Sequence, residues 1–172
     1  LSIPSDYYWT KAVLTLYQYC HQHHKQQILL MNHDCTPTPG CLTQLLNFQE
    51  AHPEAACHVV LVNREQPDVV WWAGRRTRFA QRDLWLFHQH PLTELPGAPY
   101  TVDAMPGQCL LMPIAAAREE FLYARYLPHY FSDIVQTSCM RRAGFPLYVI
   151  PDAIALKDHS DLELKRKRTR CD

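Results

Sequence analysis

The sequence predicts an α/β domain built on a mixed β-sheet, and three observations predict it. Residues 28–31 (Ile-Leu-Leu-Met) are a four-residue apolar run, too short for a helix and suited to a strand covered on both faces. The run ends at Asn32, His33 and Asp34. A breaker segment with Pro37, Pro39 and Gly40 follows, and then Leu42, Leu45 and Leu46 at helical spacing. That is a strand, an acidic loop and a helix. Second, residues 57–62 (Cys-His-Val-Val-Leu-Val) form another continuous apolar run, as a buried strand does. Third, helical patterns alternate with such runs in the first half, while shorter strand-like runs fill the middle, which is the pattern of a mixed sheet.

Length and composition set the bounds. A chain of 172 residues suits one domain with a sizeable core. With 47% apolar residues and a formal net charge of zero, it is neither a disordered chain nor a bulk electrostatic binder of nucleic acid. No apolar run approaches the roughly 20 residues that cross a bilayer, and no secretory signal pattern opens the chain. The seven cysteines are scattered and include no C-x-x-C pair. That argues against a zinc site or a disulfide framework, and for small buried apolar residues in a reducing compartment. The first residue is Leu, which suits a fragment, a processed product or an unusual start codon.

Residues 5–25 read as a helix, with Tyr8, Ala12, Leu16, Tyr19 and Cys20 on one face and Ser5 or Asp6 as cap. Its polar end, with His21, His23, His24 and Lys25, suits the negative end of a helix dipole better than a metal site. Strand 27–31 stands at the centre of the sheet. Helix 39–51 begins with Pro39 in its first turn, where a missing N–H costs nothing. Residues 69–87 read as short antiparallel strands or a hairpin at the sheet edge. Residues 91–99, with three prolines and a glycine, form a loop suited to cover a site. Gly107 serves either a close backbone approach to a ligand or a turn. A helix is expected over 115–123 and another over 132–143, ending at Gly144. Two last strands are expected at 145–150 and 153–156.

The first of these pieces already suggests a site. In open α/β sheets, ligands bind beyond the carboxyl ends of the strands. A carboxylate there, Asp34, holds a hard cation that in turn holds phosphate oxygens, or else it caps the next turn.

Several segments, in order, carry a resemblance. Residues 7–12 (Tyr-Tyr-Trp-Thr-Lys-Ala) are an aromatic segment with Trp9 that leads into a helix. Residues 28–36 (Ile-Leu-Leu-Met-Asn-His-Asp-Cys-Thr) look like an "LLLNnDt" strand. Trp72-Ala73-Gly74 looks like "xyaGg", and residues 102–111 look like "vDwvsGxxLL". Residues 127–133 (Leu-Pro-His-Tyr-Phe-Ser-Asp) resemble "LPHYxxD". Residues 141–145 and 151–153 resemble "RRAGY" and "PxA". Together, with their spacing, these segments resemble the family 2 glycosyltransferases of GT-A fold, in particular the bacterial rhamnosyltransferase-like branch. Nothing corresponds to that family's first strand–loop unit and its "xDNgSxD" segment. The resemblance therefore implies a partial GT-A domain over residues 1–161, without the nucleotide-binding first part, and a basic tail over 162–172.

The resemblance implies a metal-assisted, inverting transfer of a sugar from a nucleotide-sugar donor to a polysaccharide or lipid-linked glycan. Asp34 corresponds to the family's DxD carboxylate, which holds Mg²⁺ or Mn²⁺ against the diphosphate. His159 corresponds to a histidine that helps bind the metal. Asp133 corresponds to the general base. Asn32, Trp9, Gly74, Gly107 and His129 fall in substrate-binding segments. A second acid usual near the catalytic helix is replaced by Val135, and a frequent arginine by Cys139. On the residues alone, Asp133 or Ser132 serves equally as a helix cap, and His129 as an ordinary loop histidine. The run Lys165-Arg166-Lys167-Arg168 with Arg170 is either a solvated tail or a contact with anionic lipid at the inner face of the cell membrane. Nucleic acid is not an expected partner. Two further classes compete. One is a non-catalytic or partner-dependent remnant of such a domain. The other is a nucleotidyltransferase, which would need a glycine-rich basic loop that this chain lacks.

Overall fold

The computed structural model describes residues 8–77, 84–123 and 125–158. In chain order the elements are α1 (Trp9–Gln22), β1 (Gln27–Leu30), β2 (Cys35–Pro37), α2 (Cys41–Ala51), β3 (Ala56–Asn63) and β4 (Gln66–Trp72). They continue with β5 (Arg75–Arg76), β6 (Leu84–Trp85), β7 (Tyr100–Thr101), β8 (Leu110–Pro113), α3 (Ser132–Arg142) and β9 (Leu147–Lys157). The main sheet runs β1-β8-β3-β9-β2, with β4 also on β3 and β7 also on β9. Pairing is antiparallel except between β3 and β9, so the expected mixed α/β sheet is what forms.

Strand β3 is the heart of the sheet because it has no polar face: seven of its eight residues are buried. Its neighbours divide it. The first half pairs with β8, Cys57 opposite Leu111, and the second half with β4, Leu61 opposite Trp72. Its other edge pairs with β9 along its full length. Helix α2 lies over this sheet, with Leu45 fully buried and the Cys57 thiol 3.7 Å from the Leu45 carbonyl. Met112 follows Leu111 and so points to the opposite face. There it meets α1, where the Tyr17 hydroxyl lies 3.5 Å from its Sδ. Gln136 of α3 donates to the same hydroxyl. Helices thus cover both faces, and the core lies between them and the sheet.

Several expectations need correction. Strand 27–31 was expected at the sheet centre, but among the described residues β1 pairs with β8 alone and is an edge strand. Pro39 does not open α2: Gly40, at φ +82°, is the cap, and the helix starts at Cys41. The expected helix over 115–123 is two short 3₁₀ turns, Ile114–Ala116 and Glu119–Phe121. Tertiary packing overrides helix propensity there, since Ala116, Ala117 and Phe121 are each drawn into the core from an irregular backbone. The two last strands are one. Register jumps from Val59–Ile150 to Val60–Ile154, so Pro151, Asp152 and Ala153 form a bulge that lets β9 continue past a proline. Of the expected edge hairpin, β4 joins the main sheet and β5–β6 form a separate ribbon. Helix α3 ends as expected, with Gly144 at φ +95°.

Among the described residues Cys20, Cys35, Cys41, Cys57 and Cys109 are buried free thiols and Cys139 is half-buried, in line with their reading as small apolar residues. No helix of the described residues is long and apolar enough to cross a membrane. Ser5, Asp6, His159 and the basic run 165–170 lie outside the described residues.

His58 on β3 is fully buried against the Trp72 ring, 4.5 Å between centroids. Burial disfavours its charged form and pushes its pKa down to about 4, against the pull of nearby backbone groups. The unfolded chain binds this proton near pH 6.5 and the folded one does not. Stability is therefore full above pH 6.5 and falls by about 3 kcal/mol as pH drops from 6.5 to 4. Urea melts of the wild type and of His58→Leu across that range check this. The variant should lose the part of the acid sensitivity that His58 contributes.

Candidate active site

The parallel strands β3 and β9 and the co-directed β1 all end at one edge of the sheet, and β8 begins there. The loops leaving this edge hold most of the expected site residues. Asp34 follows β1. Gly107 precedes β8. Asp133 lies in the first turn of α3, where a carboxylate complements the helix dipole.

Asp133 is held from two directions. Its Oδ2 accepts the Gly107 N–H at 3.0 Å and its Oδ1 accepts its own neighbour's N–H, from Ile134, at 2.8 Å. Neither Ser132 nor Asp133 is the helix cap. That position belongs to Phe131, at φ +63° and without a side-chain cap bond. Buried Thr137 fixes the helix to the Gly107 loop. Its hydroxyl donates to the Met105 carbonyl at 2.9 Å and accepts the Met105 N–H at 3.0 Å. A carboxylate has about four lone-pair sites, so sites remain on Asp133 for a ligand hydroxyl.

Around Asp133 lies a cavity of about 210 Å³, lined by Trp71, Trp72, Arg75, Trp85, Tyr130 and Phe131 among others. Trp71 and Trp85 meet edge to face at 5.8 Å. Tyr130 and Phe131 are about two-thirds exposed at the cavity mouth. The Arg75 guanidinium is partly buried. Burial lowers its pKa from the usual arginine value, and Asp133 opposes that shift. Asp103 anchors the segment bearing Arg75. Its N–H donates to the Arg75 carbonyl at 2.8 Å, and its carboxylate accepts the Thr77 N–H at 2.8 Å and pairs with Arg141 at 3.3 Å. The result is a carboxylate and a cation in an aromatic-walled cavity, where ring faces offer stacking surfaces and the carboxylate a proton acceptor.

A second groove, of about 370 Å³, adjoins the first. It is lined by Trp9, Leu29, Leu30, Met31, Asn32 and Gly107 among others. Gly107 joins the two. Its N–H faces Asp133, and a Cβ on it would lie 2.4 Å from the Trp9 indole. The space beside Gly107 is taken by the Trp9 indole. Trp9, Asn32 and Gly107 therefore come together, next to Asp133. Gly74 lines neither depression. It sits at φ +118° with Val102 Cγ1 2.5 Å from where a Cβ would be, and it sets the path into Arg75. His129 is exposed and packs on Tyr130, 4.6 Å between centroids.

Asp34 is half-buried. Its Oδ2 accepts from Lys157 Nζ at 2.8 Å, and its Oδ1 is buried without a hydrogen-bond partner. Lys157 ends β9 and lies over the Trp71 ring at 4.9 Å, so the pair backs onto the aromatic wall. Among the described residues no three His, Cys, Asp or Glu side chains form a group able to hold a metal ion. Sequence reasoning missed Lys157, Arg75, Trp71, Trp85 and Phe131. The signal for Lys157 was a cation at the end of an otherwise apolar strand. For the aromatics it was the Trp71-Trp72 pair, whose residues face opposite ways along a strand.

A mixed sheet flanked by helices, with loops gathered at this edge, is the architecture of a GT-A glycosyltransferase domain. The chain is similar to the crystal structure of GalNAc-T7 with UDP, GalNAc and Mn²⁺, with a TM-score of 0.57 and 14% sequence identity over 85% of this chain. It spans 30% of the length of that chain, and at this identity the likeness is one of fold. No family model and no curated protein matches the chain.

Gly107→Ala should displace the Trp9 ring and cost about 1–3 kcal/mol, as overpacking does. Urea unfolding followed by tryptophan fluorescence measures it. Thr137→Val should cost a similar 1–3 kcal/mol, because it leaves the buried Met105 N–H without its acceptor.

Proposed function

We propose that the chain is the catalytic and acceptor-binding part of an inverting glycosyltransferase, akin to the rhamnosyltransferase-like branch of family 2. It would transfer a sugar from a nucleotide-sugar donor to a polysaccharide or lipid-linked glycan. The observation that carries the reading is Asp133, held by the Gly107 N–H in an aromatic-walled cavity beside Arg75. In this reading the acceptor sugar stacks on Trp71, Trp85, Tyr130 or Phe131. Asp133 takes the proton of the acceptor hydroxyl as its oxygen attacks the anomeric carbon from the face opposite the departing diphosphate. That geometry inverts the anomeric centre. His129 steadies Tyr130 at the cavity mouth, and Asn32 with Trp9 forms the donor side. The domain covers residues 1–161. The basic tail 162–172 holds the protein against anionic lipid at the cytoplasmic face of the membrane, where a lipid-linked acceptor is found.

The divalent metal expected at Asp34 does not fit the described residues. A Mg²⁺ or Mn²⁺ ion calls for a shell of oxygen ligands, and the one carboxylate offered is already paired with an ammonium. A second reading, a partner-dependent remnant of the same domain, draws support from β1, which pairs on one side only among the described residues and has an apolar groove beside it.

The test is turnover with a panel of UDP-, dTDP- and GDP-sugars and glycan acceptors. Asp133→Asn should lower kcat by about 10²–10⁴-fold while donor binding persists. No turnover and no nucleotide binding by a cooperatively folded chain would favour the remnant.

A further inference from the structure

We infer that the aromatic rings around the Asp133 cavity form a track for an extended glycan, which holds the acceptor over several sugar units with its terminal ring in the cavity. The inference rests on the sugar-transfer reading above and specifies the length of its acceptor.

Three observations carry it. First, the aromatic wall does not stop at the cavity. Tyr130, Phe131, Trp71 and Trp85 line it. From Tyr130, ring contacts run through His129, at 4.6 Å between centroids, to Tyr8, at 6.1 Å. From Trp71 they run through Trp85, at 5.8 Å, to His88, at 5.1 Å. Two arms of rings thus lead away from one cavity. Second, these rings face water. Tyr8, Tyr130 and Phe131 are each about two-thirds exposed, Trp85 is nearly half exposed, and His88 and His129 are exposed as well. Contiguous exposed aromatic surface is the mark of a binding surface rather than of a core.

Third, the rings are fixed although they are exposed. Fully buried Thr10 donates its N–H to the Pro128 carbonyl at 3.2 Å and its hydroxyl to the Leu127 carbonyl at 2.6 Å. This ties the segment before Tyr130 to the start of α1, and so sets Tyr8 beside His129. On the other arm, His88 Nδ1 lies 2.7 Å from the Trp71 carbonyl. Phe131 stands at φ +63°, a left-handed backbone that is costly for a bulky side chain. Its exposed ring does not repay that cost in core packing. Rings held in place before binding lose little freedom when a ligand arrives, which favours a ligand whose individual contacts are weak.

A glycan has the chemistry for this surface. Its sugar rings offer C–H faces to aromatic rings and hydroxyls to the polar tips of Tyr and His. A lipid acyl chain fits less well, since it would desolvate Asp133 and Arg75 in the cavity without pairing them. The cavity, at about 210 Å³, is smaller than the roughly 300–1,000 Å³ of sites for drug-sized ligands. It takes one sugar ring, and the rest of the chain lies over the arms.

The probes are oligosaccharides of glucose, galactose, mannose, N-acetylglucosamine and rhamnose, in lengths from a single ring upward. Each is titrated into the full chain, with binding read by tryptophan fluorescence and calorimetry and with cooperative melting verified for every variant. For at least one series, affinity should rise with each added ring until the track is full. Tyr8→Ala and His88→Ala should each weaken binding of the longest glycan by about 3- to 10-fold, and the double variant should remove the gain from length. Tyr8→Phe keeps the ring and should keep the gain. Tyr19→Ala, an exposed tyrosine of α1 that belongs to neither arm, should change nothing.

Affinity that stays flat from one ring upward would overturn the track and leave a single-ring acceptor site in place. A length gain that survives in the double variant would overturn it too. So would the absence of any gain combined with sedimentation on phosphatidylglycerol vesicles that the double variant abolishes, which would assign the rings to a bilayer. No binding of any glycan would remove the acceptor reading and this inference together.

Discussion

The parallel pairing of β3 with β9 is the interaction on which the rest of the structure depends. Every residue of β3, from Ala56 to Asn63, has a registered partner on β9, and seven of the eight β3 residues are buried. Each fully buried Val or Leu side chain contributes about 1.5–3 kcal/mol over an exposed one, so this pair of strands anchors the core. It also fixes chemistry. Because β9 runs beside β3 in the same direction, its last residue, Lys157, emerges at the edge where β1 hands over to the Asp34 loop. A slip of one residue would turn Lys157 to the other face. The bulge at Pro151, Asp152 and Ala153 absorbs the extra residues without disturbing that end.

The candidate site is built by backbone more than by side-chain clusters. Asp133 is oriented by two backbone N–H groups, one local and one from Gly107, and its helix is tied down by Thr137 on the backbone of Met105. Such an arrangement holds the carboxylate fixed through backbone groups that a side-chain substitution nearby does not remove. Gly107 shows the cost of the design. It must be glycine, because Trp9 fills the space a side chain would take, and the same residue lines the apolar groove along β1 while its N–H holds Asp133 in the aromatic cavity.

Electrostatics at this edge are balanced in pairs. Asp34 faces Lys157, Asp133 lies near Arg75, Asp158 pairs with Arg64 at 2.5 Å, and Asp103 meets both Arg141 and Arg76. A chain of zero net charge can still carry local charge, since what a ligand feels is the field in the cleft rather than the sum over the surface. GalNAc-T7, whose fold this chain shares, was crystallised with Mn²⁺. That fold sets the edge at which loops gather, but the side chains on those loops decide which charge meets the ligand.

The sequence by itself determined the class of fold and the run of β3, because a continuous apolar stretch of β-branched residues has few other uses. It also determined α3 and its end at Gly144, where helical spacing and a terminal glycine agree, whereas Asp133 and Gly107 entered as candidate site residues through a family resemblance. Tertiary structure alone decided the remainder. Whether β1 stands at the centre or the edge depends on which strands reach it, and 115–123 gave up a helix because Phe121 and its neighbours gain more from the core. The partner of Asp34 lies more than a hundred residues away in Lys157, and no local pattern links them. Which charge meets which is a property of sheet register, a long-range fact that one-dimensional spacing does not contain.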